Sequence, residues 1–542
     1  MHGKRVAGFI ALVVLAALPL LADSPGVYAI TGGIVHPASG PEIANGTVII
    51  RDGLIEAVGA GIAVPADATT IDAKGGHVYP GLFDAQTSLG FAAPAPPRRR
   101  GGGGGGAGAQ ASTPPPPETN AAFLAAQNVK LSDDDLDAKR ASGVTTILTV
   151  PAAGIFNGQS VILDLSEGEP ESRIVRTPAS LQISFAPRSA WTYPDSLMGV
   201  ISYIRQSFLD AQQYSAARAI YDKSPAGLRR PDDSPSSVAL GSALRKDLPV
   251  VFMADSAAMM RRALTLATEF NVRPILSGGR QAYAMADELK RAGVPLLVSV
   301  RWPVAPAEKE DREEQPLRLI RERQLAPTSP SVLAKSGVTF ALVSGSAKTG
   351  ELLPGVRKAI ENGLSSDDAL RALTISPARI FGVDRQLGSL ERGKIANVVI
   401  SDKALFDKDA KVKHIFVDGR EIRLPADDAK KRGSGAGAAT ADGGALDGTW
   451  SVSVRTPDGD VSFSMTLKVD DGKVTGSYSG ERGSGDIRSG SFDGTTVELA
   501  INARGKAEQE EWLFHGTVSG TSMTGTVSTN SGTFQFSGSK GK

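Results

Sequence analysis

The chain has 542 residues, a net charge of +1 and no cysteine. This length predicts about two or three domains, and 41% hydrophobic residues are enough for a packed core, which excludes a disordered protein. The balance of 59 basic and 58 acidic residues provides no basis for binding nucleic acid or an anionic membrane, and the lack of cysteine excludes disulfides and thiolate chemistry.

The N-terminus has the layout of a secretory signal. Lys4 and Arg5 precede an apolar run over residues 6–22, which ends in small residues before Asp23. The run is slightly short for the alternative, a membrane anchor. We therefore expect residues 1–22 to be a signal peptide, the mature protein to be periplasmic or secreted, and no membrane span to remain after cleavage.

Short strand patterns between Gly and Asp turns follow from Tyr28 to Val78. From residue 79 to 382, apolar strands alternate with segments of helical period, which indicates an α/β fold with a TIM-like (β/α)8 barrel. The eight candidate strands are residues 78–85, 143–150, 159–165, 180–185, 248–255, 272–279, 294–300 and 337–345.

A Gly- and Pro-rich insert, residues 93–119, interrupts this domain after its first strand. Its composition cannot bury a core, so we expect a disordered spacer, with an active-site lid as the less favoured alternative. Further along, residues 365–382 predict a helix that opens on a Ser-Ser-Asp-Asp N-cap.

The remaining segments predict two β-rich units. Residues 23–78 and 383–424 are expected to form a composite β-sandwich that flanks the barrel. A Gly- and Ala-rich linker, residues 425–445, then leads to an antiparallel sheet or small barrel over residues 446–542.

The segment YPGLFD, residues 79–84, resembles the opening motif of the metal-dependent amidohydrolases, in particular of the imidazolonepropionase-like branch. Residues 374–382, 388–394 and 415–420 resemble the C-terminal region of the same family, so the resemblance extends over about residues 28–424. It implies a barrel with a small β-sandwich and a mono- or dinuclear metal centre. Zinc, the metal expected of the family, would activate a bound water.

The positions at which the resemblance expects metal ligands carry other residues. After Asp84, two histidines are expected where Gln86 and Ser88 stand, and two more are expected at Met253 and Gly278. Neutral amide and hydroxyl oxygens are weak ligands for a transition metal. The resemblance also expects a catalytic aspartate, and Ser346 stands at its position. The vestigial site positions are therefore Asp84, Gln86, Ser88, Met253, Asp255, Gly278 and Ser346.

The histidine inventory points the same way. The chain has five histidines, and none lies between residues 78 and 413. His2 would leave with the signal, and we interpret the others, His36, His77, His414 and His515, as structural. Some members of the family use a carboxylated lysine on the fourth barrel strand as a metal ligand. Here Lys223 and Lys246 are the only lysines between residues 150 and 250, and both lie in polar, helix-like contexts rather than on a strand. We therefore expect no metal site of the usual kind and no cofactor.

These observations favour a non-catalytic, exported protein that binds a small ligand or a partner. The partner would be a second copy or an active amidohydrolase relative. The alternative is a divergent hydrolase of C–N bonds in cyclic amides or peptides, with an oxygen-only Mg²⁺ or Ca²⁺ site from Asp84, Gln86 and Asp255. Asp84 and Asp255 could also form an acid–base pair. We favour the simpler interpretation that both carboxylates accept hydrogen bonds from loop amides.

A third hypothesis assigns ligand or glycan binding to the C-terminal unit. Its large aromatic residues are Trp450, Tyr478 and Trp512, and their spacing along strands is more typical of a core than of a binding surface.

Overall fold

The computed structural model describes residues 26–91, 119–152, 154–186, 193–305, 315–345, 351–424 and, except for several short turns, 446–541. The predicted signal peptide and linker lie outside the described residues, as does the predicted insert apart from Thr119. Among the helices of the described ranges, none is long and apolar enough to cross a membrane.

Strands from both flanks of the barrel form one mixed sheet of eight strands. β5 from the N-terminal flank pairs antiparallel with β16 from the C-terminal flank, with Tyr79 opposite Val399. β-Branched residues such as Val78 and Val398 are fully buried in this sheet, as their strand propensity favours. The strands are β1 (Tyr28–Val35), β2 (Ile43–Arg51), β3 (Leu54–Ala60), β4 (Thr69–Asp72), β5 (His77–Pro80), β16 (Val398–Ser401), β17 (Val412–Val417) and β18 (Arg420–Ile422).

The central domain is TIM-barrel-like and contains two sheets. One has the order β10-β9-β7-β6 and the other the order β15-β14-β13-β12-β11-β8, in which β11 to β15 are parallel. The backbone N–H of Gly345 donates to the carbonyl of Gln86 (3.1 Å) and so links the two sheets. The strands are β6 (Leu82–Thr87), β7 (Val144–Thr149), β8 (Phe156–Gln159), β9 (Val161–Asp164), β10 (Ile174–Arg176), β11 (Leu181–Ser184), β12 (Val250–Ala254), β13 (Pro274–Gly278), β14 (Leu296–Ser299) and β15 (Phe340–Val343).

The third predicted barrel strand departs from the expected parallel order. It contains β9, which runs antiparallel to β7, with Ile147 opposite Leu163. Residues 150–160 connect the two strands, and the described residues of this connection hold β8 and no helix. A parallel return needs a crossover of about a dozen or more residues, usually helical, so this short connection enforces an antiparallel pair.

Ten α-helices lie in the described part of the chain. The predicted helix over residues 365–382 begins as expected, because the Ser365 side chain accepts a hydrogen bond from the Asp368 amide. It is broken at Thr374, whose φ of −134° and ψ of −88° are not helical. The helices are α1 (Asp133–Ala141), α2 (Leu197–Lys223), α3 (Pro235–Leu244), α4 (Ala257–Glu269), α5 (Ala286–Ala292), α6 (Leu317–Leu325), α7 (Ser329–Ser336), α8 (Leu352–Glu361), α9 (Ser366–Leu373) and α10 (Ile375–Ile380).

Side-chain alternation divides the core of the central domain into two clusters. Val251 and Ile275 belong to a cluster contributed by several strands and α10. Val250 and Phe252 belong to a larger cluster that includes residues of the other helices except α6. Because side chains alternate along a strand, Met253 lies on the same face of β12 as Val251.

The C-terminal unit is an antiparallel β-barrel. Nine strands follow the order β20-β19-β27-β26-β25-β24-β23-β21-β22, and a further β20–β21 pairing closes the path. Its apolar core includes Trp450, Tyr478 and Trp512, each at most 4% exposed, which confirms that these aromatic residues are core. The strands are β19 (Gly448–Thr456), β20 (Gly459–Asp470), β21 (Lys473–Gly480), β22 (Gly483–Asp486), β23 (Ser489–Phe492), β24 (Thr496–Arg504), β25 (Gln509–Ser519), β26 (Ser522–Thr529) and β27 (Gly532–Lys540).

Candidate functional site

Asp84, on β6, is completely buried and both of its carboxylate oxygens are engaged by the protein. Its Oδ2 lies 2.7 Å from the Lys139 ammonium and accepts a hydrogen bond from the Ser344 hydroxyl (2.6 Å). Its Oδ1 accepts a hydrogen bond from the backbone N–H of Ser344 (3.0 Å). An internal cation and two neutral donors thus compensate the buried charge.

Lys139 and Ser344 are the partners that sequence reasoning missed. Lys139 lies on α1 and is only 2% exposed, although lysine is seldom buried without a partner. The signal was its position three residues after Leu136, a spacing that puts both side chains on one face of the helix. Leu136 belongs to the apolar core, so Lys139 was directed inward.

Gln86 and Ser88, the other two first-strand positions, differ in burial. Gln86 is 6% exposed, and its side-chain Oε1 has no hydrogen-bond donor among the described residues. Ser88 is half-buried, and its carbonyl accepts a hydrogen bond from the Phe91 amide (3.1 Å). Gln86 therefore leaves one buried acceptor available close to the seam between the two sheets.

The other predicted positions that the structure describes are Met253, Asp255 and Gly278. None is a histidine, and Asp255 is a carboxylate at the surface. Met253 is the penultimate residue of β12 and is 37% exposed. Asp255 pairs with Arg280 (2.7 Å), while 47% of its side chain stays exposed. The hydrogen bond that Arg280 donates to Asp255 raises the pKa of Arg280. At Gly278 φ is +112°, and an added Cβ would lie 2.5 Å from Asp255 Oδ1, so a histidine there would be strained and would collide.

The structure does not bring the two predicted carboxylates into contact. Among the described residues, Asp84 binds Lys139 and Ser344, whereas Asp255 binds Arg280. Of the two, only Asp84 accepts a hydrogen bond from a loop amide, that of Ser344. Ser346 lies outside the described residues.

Residues 318–422 match the sequence profile of the amidohydrolase family. The fold matches an amidohydrolase from Thermotoga maritima MSB8 with a TM-score of 0.61 and 23% identity, over 73% of this chain and 100% of that one. The chain is therefore similar to the amidohydrolase family over residues 318–422, and its fold is of the same kind as that of the Thermotoga protein. An adenine deaminase from Clostridium botulinum (strain Loch Maree) is 35% identical over 75 residues, which are 14% of this chain and 12% of the deaminase. One from Methanothermobacter thermautotrophicus is 26% identical over 197 residues, 34% of this chain and 33% of the deaminase.

Amidohydrolases are usually metal-dependent, and the residues at the corresponding positions here do not fit a transition metal. The available donors are an amide, a hydroxyl and a thioether, whereas such a metal needs imidazoles and free carboxylates. Within the described residues, no group of three or more His, Cys, Asp or Glu side chains could hold a metal ion. Among the predicted site positions that the structure describes, the buried carboxylate is Asp84, which is already bound to an ammonium group.

A second buried carboxylate lies between the central domain and the flanking sheet. Asp164 accepts hydrogen bonds at Oδ1 from Thr146 (2.6 Å) and Asn397 (3.0 Å), while its Oδ2 has no partner among the described residues. Burial, reinforced by the charge of Asp418, raises the pKa of Asp164 to about 7. Burial also raises the pKa of Asp418. Sequence analysis did not identify this cluster, because its members come from distant segments.

The described histidines have partners within the protein. His36 Nε2 lies 2.9 Å from His77 Nδ1, and the ring of Tyr79 stacks on His36 at 4.5 Å between centroids. Burial and the neighbouring His77 lower the pKa of His36. The other two, His414 and His515, contact Glu421 and Glu498 respectively.

Proposed function

We propose that the amidohydrolase-like barrel of this chain is a binding scaffold that no longer performs metal-dependent hydrolysis. The buried ion pair of Asp84 with Lys139 carries the proposal, because an ammonium group occupies the carboxylate that begins the family's first-strand motif. A cation bound at Asp84 would have to displace both Lys139 and Ser344. That displacement would leave a buried ammonium without its partner, at a cost of about 3–5 kcal/mol.

The proposal includes export and a bound partner. Export rests on the layout of residues 1–22, with a basic start, an apolar run and a small-residue exit. The bound species would be a small organic ligand, a second copy of the chain or an active relative. A barrel supports such a role, since its loops at the carboxyl ends of the strands form a surface that binds ligands independently of a metal.

One observation favours the alternative of a divergent C–N hydrolase. The Oε1 of Gln86 is a buried acceptor without a donor, at a position where the family places a metal ligand. The relatives named adenine deaminase also act on a C–N bond. Against this alternative, oxygen-only sites suit Mg²⁺ or Ca²⁺, which generate hydroxide less readily than Zn²⁺ does.

The test is metal content, measured by mass spectrometry after incubation with excess zinc and manganese followed by desalting. The wild-type protein is compared with a His36→Ala/His77→Ala variant, because two imidazoles 2.9 Å apart in the flanking sheet can bind added metal outside the barrel. Both proteins are also assayed for hydrolysis of dipeptides, cyclic amides and adenine.

Metal that is absent from both proteins, or that is lost in the variant, supports a barrel without a metal centre. Stoichiometric zinc or manganese retained by the variant, together with turnover of any of these substrates, would overturn the proposal and establish the hydrolase.

A further inference from the structure

A cleft of about 890 Å³ opens beyond the carboxyl end of β14, between the segment Val300–Val304 and helix α8. Its size falls in the range of small-molecule sites, roughly 300–1,000 Å³. Its lining includes apolar rings, namely Trp302, Pro303, Pro327 and Pro354. The cleft lies on the face of the domain where barrel proteins bind ligands, and its lining does not include Asp84.

The aromatic wall of this cleft is held in place. The indole Nε1 of Trp302 donates a hydrogen bond to the carbonyl of Gly355 (2.8 Å). Gly355 itself approaches Val300 so closely that an added Cβ would lie 2.6 Å from the Val300 carbonyl oxygen. The two walls are therefore packed directly against each other, so a ligand would meet a preformed surface and lose little entropy in ordering it.

The charged residues of the cleft are mainly basic. Arg301, Arg323 and Lys358 line it, against a single carboxylate, Glu351. The Glu351 carboxylate lies 4.0 Å from the Arg301 guanidinium, so these two opposite charges compensate each other. Lys358 lies 3.5 Å from Glu361 in an ion pair whose side chains are both exposed.

Arg323 has no carboxylate partner among the described residues. Its Nη1 donates one long hydrogen bond, to the carbonyl of Val304 (3.5 Å), within the described part of the chain. A half-buried guanidinium beside an apolar wall, with donors still available, is suited to a carboxylate.

We propose that this cleft binds an organic carboxylate that carries an aromatic or branched apolar group. The carboxylate would accept hydrogen bonds from Arg323 and Lys358, and the apolar group would lie against Trp302 and the prolines. The biological role assigned to this site rests on the proposed function, since a binding scaffold needs a ligand. The binding itself does not depend on whether the barrel holds a metal.

The probe is N-acetyl-L-phenylalanine, with its neutral amide as the matched control, titrated calorimetrically into the full protein. We expect the carboxylate to bind at least about tenfold more tightly than the amide, because only the carboxylate uses the two cations. Added salt should lower the affinity for the carboxylate and leave the affinity for the amide nearly unchanged.

Two variants locate the binding. Arg323→Met/Lys358→Met retains much of the apolar surface of both side chains, and should reduce carboxylate affinity about tenfold without changing that of the amide. Arg392→Met, at an exposed arginine outside the cleft, is the matched control and should bind like wild type.

Equal affinity for acid and amide, unchanged affinity in the double variant, or no saturable binding of either probe at about 10 mM would overturn the proposed carboxylate site. Metal content and turnover are separate readouts. A zinc-loaded, active barrel would refute the proposed function alone, and a failed titration would refute the carboxylate site alone.

Discussion

The Lys139 ammonium and the Asp84 carboxylate form an ion pair at 2.7 Å, with side chains that are 2% and 0% exposed. The pair joins α1 to β6, and Ser344, directly after β15, binds the same carboxylate. Because β6 and β15 belong to different sheets, a single buried carboxylate connects both sheets of the central domain and one of its helices.

Replacing Lys139 with Met should destabilise the protein strongly. The substitution leaves Asp84 as a buried charge without its cation, and removing one partner of a buried pair costs about 3–5 kcal/mol. The free energy of unfolding in denaturant is the measurement. The double variant Asp84→Asn/Lys139→Met should recover much of the loss, since it removes both charges. A single variant as stable as wild type would show that the ion pair does not support the seam.

Alanine at Gly278 should cost more stability than alanine at Gly293. Both glycines have positive φ, +112° and +62°, but only the Cβ at residue 278 meets a neighbour, Asp255 Oδ1. Gly293→Ala should cost about 1–2 kcal/mol from the left-handed backbone alone. Gly278→Ala should exceed this by about 1–2 kcal/mol, because its φ is suited only to glycine and Asp255 must move away from Arg280.

Denaturant unfolding of the two glycine variants side by side measures the difference. Equal losses would mean that the residue 278 position could accept a side chain, and that a histidine ligand there was sterically open.

Asp164 should make the protein less stable as the pH rises. Its folded-state pKa is raised to about 7, so the folded protein binds a proton that the unfolded chain, with a pKa near 3.8, has lost. The stabilisation is complete below about pH 4 and is lost as pH rises through 7, by at most about 1.4 kcal/mol per pH unit. Unfolding free energies of wild type and Asp164→Asn, measured across this window, should diverge.

The asparagine variant mimics the protonated acid, since its Oδ1 can accept from Thr146 and Asn397 as before. It should therefore show the shallower pH dependence and gain relative to wild type above neutral pH. Parallel curves for the two proteins would place the titration of Asp164 outside this range.

His36 should act in the opposite direction. Its pKa is lowered in the folded state by burial and by His77, so folding favours the neutral ring. Its contribution is complete above the unfolded pKa of about 6.5 and is lost as the pH falls through the lowered folded-state value. Asp164 changes stability in the opposite direction in both proteins, so the measurement is the difference between the urea midpoints of wild type and His36→Gln. Wild type should lose stability relative to His36→Gln as the pH falls from about 7.5 to 5.5. A difference that stays constant over this range would exclude a contribution from His36.

Much of the fold was predictable because it depends on local patterns. Alternation and length identified β12 to β15, and the Ser365 cap marked the start of α9. The break at Thr374 was missed because the apolar period continues through it. The orientation of β9 was missed because a hydrophobic run contains no information about the direction of its neighbour.

The candidate site divides along the same line. Sequence by itself determined that the barrel segment contains no histidine, since ligand chemistry is a property of residue type. That Gln86, Met253 and Gly278 stand at metal-ligand positions stays a prediction from the family resemblance. Only the tertiary structure decided that Asp84 is bound by Lys139, that Asp164 and Asn397 meet, and that Trp302 and Arg323 line one cleft. Burial and charge pairing arise between segments that are distant in the chain, so no local pattern records them.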